Sequence, residues 1–477
     1  MTPHPRRLIG VLLGATCLVA PQAALAQSTS ASEREAQLEA RLERLEAEMQ
    51  LLREDLARAR ADQQRAESET RSALAAAQTQ SADAVTRVAR IEDAAPAAAS
   101  ASGKDGFDVG ATTFKLGGYV RVNAIASRWS SGDVAPGALG KEFYLPQHIP
   151  VGDGAKSQDF MMHARQTRIT MGASTPLEGR ELSGYIEFDF GLATAPPGAQ
   201  RATNPYVPTF RRGFIKYGNL LIGQEWSTFQ NVAALPETTD FVGPTEGTVF
   251  NRQAMVRYTH KVADQLSFAV AIENPQTEAL VGDSAGFADL DDDRMPDLVG
   301  RINWTPGLGS FVLAGVAREI RVQQGGLSDS AFGWGLSGSG IVPFGPEGRH
   351  DLRFMVTYGQ GIGRYLGLGY VADAVLPAFG EELAVVDNFA AFAALKLGWS
   401  DKLRSTFMAG YQDADYPDAI VVNGLANKRA WSMAANLFWS PADKLDFGVE
   451  YRHAVRETVS GADGSLDRME FAAKYRF

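Results

Sequence analysis

From residue 113 onward, apolar and polar side chains alternate with a period of two, and this constrains the fold more than any motif does. The last stretch shows it most plainly. Met469, Phe471, Ala473, Tyr475 and Phe477 interleave with Arg468, Glu470, Ala472, Lys474 and Arg476. A period of two sends one set to each face of a β-strand. The apolar face carries three aromatics, and it needs either a second sheet or lipid to cover it.

The rest of the chain decides between the two. Segments of the same kind fall near 114–126, 163–175, 181–190, 210–217, 220–226, 251–259, 265–273 and 298–304. Others fall near 310–320, 331–341, 351–359, 388–399, 403–412, 429–440, 445–453 and 467–477. That gives about sixteen strands, an even number, as a single-chain outer-membrane barrel has. Connections after even strands are short, as in 176–180, 218–219 and 260–264, whereas those after odd strands run long, as in 129–162, 191–209, 227–250, 274–297 and 360–387. A soluble sandwich has no reason to sort its loops by parity, but a barrel with one turn rim and one loop rim does. Trp304, Trp399 and Trp439 stand just before short turns, where an interfacial aromatic girdle belongs. The expected fold is all-β: an antiparallel transmembrane β-barrel of about sixteen strands. No apolar run long enough for a membrane-crossing helix follows the leader, and alternation keeps mean hydropathy at −0.15.

Ahead of the strands lie three further segments. Residues 1–26 read as a signal peptide, with Arg6 and Arg7, an apolar Leu8 to Ala20 core and a small-residue Ala24-Leu25-Ala26 site. The one cysteine, Cys17, falls inside it, so no thiol or disulfide chemistry is expected in the mature chain. Residues 27–92 read as a periplasmic α-helical coiled coil, with Leu38, Leu42, Leu45, Met49, Leu52 and Leu56 stepping by four and three. Residues 93–112, with Pro96 and an Ala/Ser/Gly run, read as a linker, and 113–477 as the barrel domain.

With the aromatic and aliphatic faces turned outward, Arg121, Arg168, Lys216, Arg257, Arg301, Arg353, Lys396, Arg404 and Arg452 fall inside. Glu187, Asp189, Glu225, Glu273 and Glu450 fall inside as well. An arginine fork holds carboxylates and stays charged at any relevant pH. The ladder therefore reads either as an anion path or as ion pairs bracing a polar wall. Ser227 to Phe250, rich in Thr, Pro and Gly with three phenylalanines, reads either as a loop folded into the lumen or as an outer cap. The net charge of −10 includes many loop and coil carboxylates and says little about the pore.

The stretch Gly218–Asn231, GNLLIGQEWSTFQN, followed by NRQAMVRY at Asn251–Tyr258, resembles the fifth strand, constriction loop and sixth strand of DcaP-like porins. The layout of leader, coil and barrel is similar to that family over the whole mature chain. The resemblance implies a homotrimeric outer-membrane channel that favours small anions such as dicarboxylates and aromatic acids. It carries Arg252, Gln253, Arg257 and Tyr258 over as site residues. The expected partners are outer-membrane lipid, small anionic solutes and two further copies of the chain, with cell-wall contact through the coil open and no nucleic acid. A general diffusion pore and a structural envelope tether are the alternatives.

Other chemistries find little support. Asp289, Asp291, Asp293 and Asp297 share one stretch but lack the glycine and closing glutamate of a calcium loop, and read as a solvated acidic loop. The histidines form no close pair, so no metal or other cofactor is expected. His163 and His453 lie near the outer rim without partner spacing for hydrolysis, and the chain reads as a non-enzyme.

Overall fold

The computed structural model describes Gln50 and residues 106–477, apart from 193–205, 285, 290–292, 325–326, 378–381 and 418–419. The signal peptide, the coiled coil and most of the linker lie outside the described residues.

The chain from Thr112 onward closes into one antiparallel barrel. Its strands are β1 (Thr112–Trp129), β2 (Ser157–His163 and Arg168–Leu177), β3 (Arg180–Asp189) and β4 (Thr209–Tyr217). Then come β5 (Leu220–Trp226), β6 (Arg252–Ala263), β7 (Leu266–Glu273) and β8 (Asp297–Trp304). β9 (Ser310–Gln324), β10 (Leu327–Phe344), β11 (His350–Gln360) and β12 (Asp387–Gly398) follow. β13 (Leu403–Asp415), β14 (Asn427–Ala442), β15 (Leu445–Thr458) and β16 (Asp463–Arg476) complete the wall. Each strand pairs with its sequence neighbours, and β16 closes on β1 from Tyr119↔Arg476 to Trp129↔Leu466. The sheet thus has sixteen staves. β2 is one stave in two halves, both paired to β1, and Phe107–Val109 is a flap that pairs only with Thr112 to Phe114.

The sequence reading placed 129–162 in a loop, whereas Ser157–His163 forms the first half of β2. Phe160 and Met162 face outward there, so the segment alternates once Met161 is allowed inside. Short turns keep the strands in register. Between β2 and β3, Glu178 and Gly179 both take positive φ, 50° and 75°, the twist that suits a two-residue hairpin.

Outward faces are apolar and exposed. Leu116, Val120 and Val122 of β1 and Met469, Phe471 and Tyr475 of β16 are examples, and Trp304, Trp399 and Trp439 ring the short-turn rim. Inward faces are polar around most of the wall, but not behind one arc. Val312, Ala314 and Val316 of β9 and Ala390, Phe392 and Ala394 of β12 point inward and are buried. Those strands are apolar on both faces, so something inside the barrel must cover them.

The long loops supply the cover. Residues 227–251, between β5 and β6, fold into the lumen, and Phe229, Ala234 and Val249 pack with Val312, Ala314, Met355 and Phe392 in one cluster. The β1–β2 loop also folds inward, with Tyr144, Ile149 and Val134 buried against Trp129 and Ala454. The β7–β8 and β11–β12 loops share a four-stranded sheet in which Glu278–Val281 runs parallel to Ala374–Leu376. Its Leu280 and Val375 pack toward Ala414 of β13 and Ala430 of β14.

In lipid an unpaired strand edge leaves backbone groups with no water to bond, at several kcal/mol each. The last four residues close both edges: Lys474 pairs with Arg121 and with Asp446, and the Phe477 amide donates to Gly118 O at 3.2 Å. Deleting Lys474 to Phe477 is therefore expected to abolish heat-modifiable folded protein in the outer membrane. Wild-type amounts of the compact band on unheated gels would contradict this.

Candidate functional site

The loop of residues 227–251 is held by polar contacts spread around the wall. Asn123 Nδ2 donates to Thr239 O at 3.0 Å, and Arg121 reaches the same carbonyl from β1. On β7, Glu273 accepts from Ser227 Oγ and from Thr228 N, both at 2.7 Å. Asn231 Nδ2 donates to Ser339 Oγ of β10 at 3.0 Å. Arg404 of β13 clasps Glu237 through two bonds of 2.6 Å, and Glu450 of β15 accepts from Thr238 Oγ1 at 2.7 Å. Hydrogen bonds to charged groups contribute about 1.5–3 kcal/mol each. The loop is thus a fixed part of the lumen, which settles the two readings left open by its sequence.

Backbone crowding enforces the same position. A Cβ on Gly247 would lie 2.2 Å from Ala391 O and 2.8 Å from Phe392 Cβ, so only glycine lets the loop pass against β12. Gly247→Val should push the loop off that wall and raise single-channel conductance. Unchanged conductance in a correctly folded variant would count against a loop that sets the channel width.

Eight arginines were singled out from sequence, and they do different things. Seven lie on inward strand faces, Arg452 among them with its ion pair to Glu450 at 2.9 Å, while Arg252 sits one residue out of phase with inward Gln253 and Arg257. Arg121, only 8% exposed, spends its guanidinium on Thr239 O, Asp240 O and Asn123 Oδ1. Arg353 pairs with Asp351 at 2.6 Å and donates to Leu235 O at 2.6 Å, and Arg404 pairs with Glu237 and, at 3.3 Å, Asp446. Arg168 faces Glu187 at 3.3 Å and Asp189 at 3.5 Å. Arg252 lies over the Trp226 ring, 4.9 Å from its centroid. Arg257 Nη1 donates to Trp226 O at 3.3 Å, and Arg301 Nη1 to Gln230 O at 2.6 Å. Neither Arg257 nor Arg301 forms an ion pair with a carboxylate among the described residues. Carbonyl clamps fix them in place without a direct ion pair, although Glu225 shares the space beside Arg257.

Sequence reasoning missed the densest basic cluster. A bulge opposite Glu187 and Phe188 inserts one residue into β4, so Arg211 and Arg212 both turn inward. Arg211 bridges Glu187 at 2.7 Å and Asp189 at 2.6 Å, between the rings of Trp226 and Phe241. Arg212 grips Glu225 through two bonds of 2.6 Å. The doublet itself was the available signal. Strict alternation would send one arginine into lipid at about 2–4 kcal/mol at mid-membrane, which a bulge avoids.

Between the loop and the β4–β8 wall lies open space. A recess of about 530 Å³ is lined by Lys216, Arg257, Lys261, Arg301 and Asn303 and reaches the β4–β5 turn at Gly218 and Asn219. A second space of about 300 Å³ shares Glu225, Arg257 and Arg301 with it and continues along the loop at Gln230, Val232 and Ala233. Gly223, at φ 141°, keeps this wall flat, since a Cβ there would meet Gly213 O at 2.4 Å.

Asp293 and Asp297 differ from their sequence reading, while the side chain of Asp289 and the whole of Asp291 lie outside the described residues. Asp297 is fully buried, accepts from Tyr365 Oη at 2.6 Å and pairs with Arg318 at 3.3 Å, while Asp293 accepts from Thr277 Oγ1 at 2.7 Å. These carboxylates pin the loop sheet instead of lying in solvent, because inward Arg318 needs counter-charges. No group of metal-ligating side chains occurs among the described residues. His163 is buried with Nε2 3.1 Å from Glu142 O, and His453 Nδ1 lies 2.9 Å from Asp467 Oδ1. Among the described residues no serine hydroxyl bonds to either ring.

Glu246, in the short helical turn Thr245–Gly247 near the end of the loop, is fully buried and accepts from Ser432 Oγ at 2.5 Å. Burial holds its carboxyl above the usual range of 4.5. A raised folded pKa means that its contribution to loop docking is full below the ordinary carboxylate value and is lost as pH rises through the folded one. Glu246→Gln removes that loss. The variant is expected to melt above wild type at about pH 8 and with it at about pH 4. A variant melting at or below wild type at the higher pH would refute the sign.

A closed barrel with a loop folded into a largely polar lumen is the architecture of the outer-membrane channels. The sequence profile of the DcaP outer membrane protein matches residues 108–477, and the chain belongs to that family. Among solved structures it is similar to the outer membrane channel DcaP of Acinetobacter baumannii: 22% identity, TM-score 0.66, covering 78% of this chain and 100% of that one. Weaker likenesses are to OmpT of Vibrio cholerae (14%, TM-score 0.47, 78% and 99% covered) and to an anion-selective porin from Comamonas acidovorans (9%, TM-score 0.46, 77% and 100% covered). Curated proteins give no match.

Proposed function

We propose that this porin-family barrel is a passive channel for small anionic solutes such as dicarboxylates or aromatic acids, working as a homotrimer with its short turns and coil toward the periplasm. The observation that supports this most is the state of Arg257 and Arg301. Both are anchored through carbonyl oxygens, and both border open space beside Lys216 and Lys261. Fixed positive charge between low-dielectric walls concentrates anions, and salt screens it over about 10 Å at 0.1 M. Diffusion through such a lumen needs no cofactor and no energy source.

A reversal potential in a KCl gradient tests the reading. Wild type is expected to prefer chloride, most strongly at low salt. Arg257→Ala with Arg301→Ala should lower the anion/cation ratio and weaken block by a dicarboxylate by roughly 1.5–3 kcal/mol for each lost charged contact. Arg168→Ala should do less, since Glu187 and Asp189 already offset Arg168. A wild-type channel that prefers potassium would overturn the proposal, and one with no preference would return the general diffusion pore.

A further inference from the structure

The recess on the β4–β8 wall is more selective in its chemistry than a generally basic lumen. It gathers Lys216, Arg257, Lys261 and Arg301 around one volume of about 530 Å³. Its one lining carboxylate, Glu225, is already committed to Arg212 through both oxygens. Lys261 also meets Asp264 at 2.8 Å, but both ends are exposed on a turn, where such a pair holds little energy. A single negative charge would leave most of this field unanswered.

The donors left over are also specific in shape. Arg301 uses Nε on Asn303 Oδ1 at 2.6 Å and Nη1 on Gln230 O, and Arg257 uses Nη1 on Trp226 O. The Arg301 fork is thereby divided, and a two-pronged clasp of a flat carboxylate is not on offer there. What remains is the free Nη2 of Arg301, the unused edge of Arg257 and two lysine ammoniums, which act as point charges from different directions. Donors converging from several sides suit a tetrahedral group with oxygens on every side. Phe214, Leu221 and Ala269 line the same recess and give an organic body an apolar surface.

We infer that this recess is a binding station for multiply charged phosphate-bearing solutes, small phosphate esters or polyphosphates, at the short-turn mouth of the channel. The inference rests on the anion-channel reading and narrows its solute class. A station of this kind would draw phosphorylated solutes ahead of simple carboxylates.

Single-channel recordings on the full-length protein test it, with inorganic pyrophosphate and acetate as probes at matched ionic strength. Pyrophosphate is expected to reduce the chloride current at a half-blocking concentration at least about tenfold below that of acetate. Lys216→Ala with Lys261→Ala, both exposed positions that leave the fold intact, should raise the pyrophosphate value about tenfold and the acetate value by much less. Equal values for the two probes, or a double variant blocked like wild type, would overturn the station. The KCl reversal potential separates the two levels. A channel that prefers chloride but treats both probes alike keeps the anion reading and loses the station, whereas preference for potassium removes both.

Discussion

Backbone hydrogen bonding in lipid is the constraint on which everything else depends. No water reaches a strand edge at that depth, so the sheet must close, and here it closes through β1 and β16 over eleven residue pairs. Closure fixes the alternation, and the alternation fixes which side chains can meet a solute. A barrel of this width would be a wide hole if its interior were merely polar. The second determinant is therefore the apolar arc inside β9 and β12, which draws the loop of residues 227–251 across the lumen. Dispersion and burial hold one side of the loop, and charged bonds from β1, β7, β8, β11, β13 and β15 set its height.

This arrangement divides the inward arginines by function. Arg121, Arg353 and Arg404 are tied to loop groups or to carboxylates, so most of their field is spent on architecture. Arg257 and Arg301 are also anchored, but by carbonyl dipoles, which orient a guanidinium without the direct ion pair that ties Arg353 and Arg404. The wall-bracing reading of the arginine ladder fits Arg121, Arg353 and Arg404, and the proposed anion path rests on Arg257 and Arg301.

The wall was legible in the sequence because it obeys a simple period. Strand positions, loop parity and the outward aromatics follow from lipid on one side and water on the other, and single-residue alternation records both. The loop was only half legible. Its composition suggested folding, but its location depended on inward residues of strands far away in sequence. The apolar runs at 311–317 and 389–395 were the trace of it, since a strand apolar on both faces needs an internal neighbour. Arg211 was hidden because a bulge breaks the very period used to read the rest, and Asp297 because its counter-charge, Arg318, belongs to a different strand. The N-terminal heptads lie outside the described residues.

The off-centre position of the open space has a kinetic meaning. On the anion pathway proposed above, a solute between the loop and the β4–β8 wall slides along a charged ramp with an apolar edge at Val232 and Ala233 on its other flank. Its dwell time on that ramp is set by release from each cation in turn. Throughput must then peak at intermediate attraction, falling for solutes held too weakly to enter and for those held too tightly to leave. On that proposal, the wall that recruits a solute also meters it.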